Sequence, residues 1–130
     1  MKIMVAYKDT KESQLALDIA KTHSRFFNAK LLIVSSSEGG KGEDPEEINK
    51  MTLKLEEIKT GLSQEGIQCE VTQLARGLSP GEDIVFFADE NNVDIIYVGI
   101  QKKSRTSKLL LGSTAQFIIL KASCPVISVK

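Results

Sequence analysis

The sequence predicts an α/β protein, an open five-stranded parallel sheet in the order 3-2-1-4-5 with helices on both faces. Three observations predict it. Short apolar runs recur at IMVAY (3–7), LLIV (31–34), IIYV (95–98) and VISV (126–129). They are nearly continuous rather than alternating, as strands covered on both faces must be. Segments whose apolar residues repeat with helical period lie between them. The resulting alternation, β-α-β-α-β-α-β-α-β, implies right-handed crossovers and hence a parallel sheet.

The first strand spans residues 2–7. Asp9-Thr10-Lys11-Glu12 then reads as a capping box, with Asp9 at the N-cap and Glu12 at N3. It opens a helix whose apolar stripe is Ala16, Ile19, Ala20, His23 and Phe27. The second strand, 30–36, runs into a small and polar loop, SSSEGGKGEDP (35–45). Asp44-Pro45-Glu46-Glu47 supplies an N-cap, a proline at the first helical position and an acidic N3 residue. Ile48, Met51, Leu55, Ile58 and Leu62 form the stripe that follows. The third strand, 67–75, differs from the others: Ile67, Cys69 and Val71 alternate with Gln68, Glu70 and Thr72, the pattern of a half-buried edge. Ser79-Pro80-Gly81-Glu82 repeats the proline start, and the fourth strand follows at 94–99. Ser113-Thr114-Ala115-Gln116 reads as a further capping box, with Ala115, Ile118, Ile119 and Ala122 on the buried stripe. The last strand spans 125–129.

At 130 residues the chain is expected to be a single domain, 1–130. Lys plus Arg and Asp plus Glu both number 17, so there is no global pull toward nucleic acid or an anionic membrane. MKIMVAYKD is too short an apolar start for a secretory signal, and no run approaches the roughly 18 apolar residues of a membrane span. A cytoplasmic protein is the expectation. Cys69 and Cys124 lack metal-ligand spacing and read as ordinary buried thiols.

In a doubly wound sheet the binding crevice lies at the carboxyl ends of the strands, where the strand order reverses. Here the reversal falls between strands 1 and 4. The loops after them are Lys8-Asp9-Thr10 and VGIQKKSRTSKLLLGSTAQ (98–116). Gly99 permits a tight exit, Gly112-Ser113 opens a helix whose free amides attract an anion, and Lys102, Lys103, Arg105 and Lys108 add charge. The competing reading is bland: Gly99 ends a strand, Ser113 caps a helix, and the basic residues are solvated.

The loop resembles the Gly-x2-Gly-x9-Gly-Ser/Thr pattern of the ATP-binding branch of the universal stress protein family. Gly99, the spacer 103–111, Gly112 and Ser113 fit it, with Lys102 where the second glycine belongs. Ser13, Ala16 and Leu17 in the first helix, DIIYVG at 94–99 and CPVISV at 124–129 extend the similarity over nearly the whole chain. The resemblance implies a Rossmann-like fold of the adenine nucleotide alpha hydrolase type. It also implies an adenine nucleotide, ATP or AMP, as ligand, with Mg at most as an accompanying ion. The site residues it implies are Ala6, Tyr7, Lys8, Asp9, Ser36, Val98, Gly99, Gln101, Lys102, Gly112, Ser113 and Thr114. A homodimer through the terminal strand Val126–Val129 follows from the same resemblance. Without a gap the family's ribose-binding aspartate falls on Lys8, and Asp9 takes that role in a turn one residue shorter.

His23, the sole histidine, falls on an apolar helical stripe away from the crevice, which removes the usual general base. There is no Gly-x-Ser-x-Gly elbow, no His-Glu-x-x-His motif and no Walker loop. The acidic residues at 43–47 suit a helix first turn, and no metal is assigned to them. Three functions stay open: a regulatory binder of an adenine nucleotide, an interaction module of the same family that has lost the nucleotide, and a slow nucleotide hydrolase.

Overall fold

A computed structural model describes residues 1–40, 42–101 and 111–130. Along them the elements alternate as β1 (Lys2–Ala6), α1 (Lys11–Phe27), β2 (Lys30–Ser36), α2 (Pro45–Gln64), β3 (Cys69–Leu74), α3 (Pro80–Glu90), β4 (Ile95–Gly99), α4 (Ser113–Lys121) and β5 (Val126–Val129). The strands form one sheet in the order β3-β2-β1-β4-β5, every pair parallel. This is the order read from the sequence.

A strand sends successive side chains to opposite faces, so a doubly covered strand must be apolar at every position. On one face Ile3, Val5, Leu31, Ile33 and Tyr97 meet Ala16, Leu17 and Ala20 of α1 and Leu55 and Leu62 of α2. On the other, Met4, Ala6, Leu32, Val34, Ile96 and Val98 meet Ile84 and Ala88 of α3 and Ala115 and Ile118 of α4. Each fully buried Leu, Ile or Val contributes about 1.5–3 kcal/mol. β3 carries the intermediate burial of an edge along most of its length, as its alternation predicts.

Helix starts depart from the expected capping boxes in three places. Thr10, not Asp9, caps α1: its Oγ1 accepts the Ser13 N–H at 3.1 Å. The cause is Ser13, whose Oγ accepts the Lys8 N–H at 3.1 Å and ties the turn one residue later, leaving Asp9 exposed. At α3, Ser79 accepts no backbone amide, and its hydroxyl donates instead to Glu82 Oε1 at 2.9 Å. At α4 the N-cap is Gly112, with Ser113 already inside the helix and no side chain among the described residues capping its first turn. Asp44 caps α2 as expected, accepting the Glu46 N–H at 2.9 Å ahead of Pro45.

Some stripe residues are not covered. α1 rests on the sheet through a narrow face of Ser13, Ala16, Leu17, Ala20 and Ser24, so Ile19 and Phe27 fall beyond its border and remain exposed. Ile48 and Ile119 are exposed at the margins of α2 and α4 for the same reason. Cys69 and Cys124 are half-buried free thiols rather than fully buried ones.

Two glycines set the close approaches. A Cβ on Gly81 would lie 2.8 Å from Phe117 Cβ, where α3 and α4 pack against each other. A Cβ on Gly99 would lie 2.5 Å from the Glu12 carbonyl carbon and 2.6 Å from Ser13 N, because the first turn of α1 sits directly on the end of β4. The obstacle there is backbone and cannot swing aside. Gly99→Ala is expected to lower stability by about 1–3 kcal/mol, as overpacking does. Urea denaturation checks this, and an unchanged midpoint would mean that α1 moves off the strand without cost.

Candidate cleft at the carboxyl edge of the sheet

A cleft open to solvent lies where the strand order reverses between β1 and β4. β1 and its exit contribute Ala6, Tyr7 and Lys8, β2 ends on it at Ser36, and β4 and its exit contribute Val98, Gly99 and Gln101. Gly112 and Thr114 supply the α4 side. All of these are among the residues the sequence picks out. Asp9 and Ser113 do not line the cleft, since the later cap at Thr10 leaves Asp9 exposed, and Ser113, one position inside α4, is exposed as well. Lys102, together with Lys103, Arg105 and Lys108, lies outside the described residues.

The lining also includes Thr10, Ser13, Pro80, Ile84 and Ala115, which sequence reasoning missed as site residues. Thr10 and Ser13 were hidden behind the Asp9 capping box. Pro80 and Ile84 come from α3, which covers the β2 side of the crevice. The signal available for them was the Pro80 helix start, placed by the topology beside the end of β2.

Ala6, Ile84, Val98 and Ala115 make apolar walls, while Thr10, Gln101 and Thr114 add polar groups. Such a mixture holds a flat apolar group and fixes its orientation by a few hydrogen bonds. Tyr7 is 2% exposed, and burial, reinforced by the negative charges of Asp9 and Glu57, raises its pKa, so its phenol stays protonated. The Lys8 amide is already used by Ser13. Gly112 has φ −59°, and a Cβ there would meet nothing within 4 Å among the described residues. Those residues therefore give no steric reason for glycine at 112.

Behind Ser36 lies a buried charge that the sequence did not reveal. Asp83 is completely buried on α3; its Oδ1 accepts from Arg76 Nε at 2.6 Å and its Oδ2 accepts the Ser36 hydroxyl at 3.2 Å. Arg76 also donates to Glu90 at 2.8 Å and lies 5.3 Å from the centroid of the Phe86 ring. Hydrogen bonds to Glu90 and Asp83 hold its guanidinium pKa above the ordinary arginine value. His23 takes no part in the cleft. Its Nδ1 is 2.5 Å from the hydroxyl of buried Tyr97, in the layer under α1, and burial raises the Tyr97 pKa. Burial likewise raises the Cys124 thiol. Among the described residues no group of three His, Cys, Asp or Glu side chains could hold a metal ion.

Crossover topology and a cleft at the strand reversal, beside a final helix that starts at a glycine N-cap, together describe a Rossmann-like ligand-binding domain. The model of the universal stress protein family matches residues 1–130, and the chain belongs to that family. A universal stress protein of Archaeoglobus fulgidus superposes with a TM-score of 0.87 at 35% identity, covering 100% of this chain and 93% of that one. Another from the same organism, solved in complex with dAMP, gives a TM-score of 0.81 at 30% identity over 99% of this chain and 96% of that one. A universal stress protein of Methanocaldococcus jannaschii is 34% identical over 76 residues, which is 58% of this chain but only 44% of that relative's length.

Removing Arg76 would leave Asp83 buried without its cation, a loss of about 3–5 kcal/mol for a fully buried pair. Arg76 is itself 35% exposed, so Arg76→Ala is expected to fall at or below the low end of that range. Chemical denaturation measures it, and wild-type stability in the variant would show that Asp83 finds another partner or water.

Proposed function

We propose that the chain binds an adenine nucleotide, ATP or AMP, in the β1/β4 cleft and serves a regulatory role in the stress response through binding rather than turnover. The observation that carries this reading is the convergence of Ala6, Tyr7, Ser36, Val98, Gly99, Gly112 and Thr114 on one cleft beside the start of α4, which no side chain among the described residues caps. The amides of a helix first turn and the positive end of its dipole suit a phosphate. The apolar walls suit a purine. The complex of the Archaeoglobus fulgidus relative with dAMP supports the same ligand class. Lys8, which lines the cleft, and Asp9, its neighbour outside the described lining, are assigned to the ribose side, and Lys102 and Ser113 to the phosphates. Mg would arrive with the nucleotide. No helix among the described residues is long and apolar enough to cross a membrane, and the cytoplasm is the proposed location.

A second reading, an interaction module that has lost the nucleotide, is favoured by one feature, Lys102 in place of the family's second glycine. Calorimetric titration with ATP and AMP is expected to give saturable heat and a raised melting temperature. No heat and no thermal shift at millimolar ligand would remove the nucleotide. Weaker binding by Lys102→Gly makes the ammonium a phosphate ligand; binding that appears only in the variant identifies the lysine as an obstruction.

The proposal includes a homodimer through β5. Pro125 and Val129 give their carbonyls to the Ile96 amide of β4 and the Ile100 amide just past its end. By the alternation of a parallel ladder, the Val126 and Ser128 backbone groups then face outward, along an edge that invites pairing. Ser128→Pro deletes an outward donor and spares the bonds to β4. Sedimentation is expected to show a dimer for the unaltered chain and a monomer for the variant. A dimer that persists in the variant would place the contact elsewhere.

A further inference from the structure

We infer that Ser36 selects an amino-substituted purine over an oxo-substituted one, because Asp83 holds its hydroxyl hydrogen away from the cleft. This rests on the nucleotide reading of that cleft and deepens it. A serine hydroxyl carries one hydrogen and two lone pairs. Here the hydrogen is committed: Ser36 Oγ donates to Asp83 Oδ2 at 3.2 Å. Asp83 in turn is fixed, being completely buried with its other oxygen 2.6 Å from Arg76 Nε. A carboxylate paired with a guanidinium can only accept, so Ser36 has no alternative but to donate to it.

What Ser36 offers the cleft is therefore acceptor lone pairs alone. No other hydrogen bond to Ser36 Oγ is formed among the described residues. Ser36 shares the cleft with the apolar walls of Ala6, Ile84 and Val98, between which a base would lie. An exocyclic amino group reaching Ser36 donates into those lone pairs. A carbonyl oxygen in the same place faces another acceptor and is left unpaired, which is the arrangement by which a polar site rejects a near-isostere. Ser36 is the contact residue in this scheme; Asp83 and Arg76 are positioning residues that act through it.

Calorimetric titration of the full chain with ATP and ITP, which carry an amino and an oxo group respectively at purine position 6, tests this directly. The unaltered chain is expected to prefer ATP by about tenfold, the worth of one well-placed hydrogen bond. Ser36→Ala is expected to bring the two affinities together, chiefly by weakening ATP. Asp83→Asn is expected to shift the preference toward ITP, since Arg76 would hold the amide oxygen and turn the NH2 group onto Ser36, releasing the hydroxyl hydrogen to the cleft. A Ser36→Ala variant that keeps the full ATP preference overturns the inference, as does equal affinity for ATP and ITP in the unaltered chain. Should Asp83→Asn fail to fold, judged by circular dichroism, the Ser36→Ala ratio decides alone. If the unaltered chain binds neither nucleotide, the reading of the cleft fails and the selectivity with it, an outcome distinct from binding without discrimination.

Discussion

The first turn of α1 lies on the end of β4 with no side chain between them, and the geometry of the cleft depends on this contact. Gly99 provides the missing Cβ, and the Glu12 and Ser13 backbone fills the space. The same turn is drawn back onto β1 by the bond from the Lys8 amide to Ser13 Oγ. Helix α1 is thus seated on the two strands between which the order reverses. Its position decides how far Thr10 and Ser13 stand from Val98 and Gly99, and so the width of the opening. Interiors packed to native density transmit such a constraint rather than absorb it.

On the opposite layer the corresponding device is polar. Asp83 enters the interior only because Arg76 neutralises it from outside and Ser36 satisfies its second oxygen. A buried ion pair of this kind adds little net stability compared with a well-packed apolar pair. Its effect here is directional, since it orients a hydroxyl at the end of β2 and links that strand to α3. The Arg76 guanidinium reaches Glu90 at the far end of the same helix, so one side chain braces α3 at two points.

Much of the fold was legible because it rests on periodicity. Continuous runs at 3–7, 31–34, 95–98 and 126–129 and the alternation at 67–73 mark three central strands and two edges, and the observed strands lie within about two residues of the expected ones. Capping was less legible because serine, threonine and aspartate compete for the same backbone donors. Asp9 and Thr10 are adjacent candidates, and the choice between them is made by Ser13 reaching Lys8, a tertiary detail of the turn. The cleft was legible where it consists of strand ends, whose positions follow from topology, as at Ala6, Ser36 and Val98. It was illegible where a helix crosses from the far side, as with Ile84. Asp83 was invisible for a different reason. In the string PGEDIVFF it looks like helix first-turn charge, and only the fold brings it to Arg76 and Ser36.

The cleft draws its described lining from β1, β2, β4, α1, α3 and α4 with their adjoining turns, and takes nothing from α2 or β3. Exposed positions on α2 and β3 can therefore change without altering any described wall of the cleft, while their buried positions remain tied to the core. Evolution is left with a quiet side on which to write new surface chemistry without disturbing the pocket.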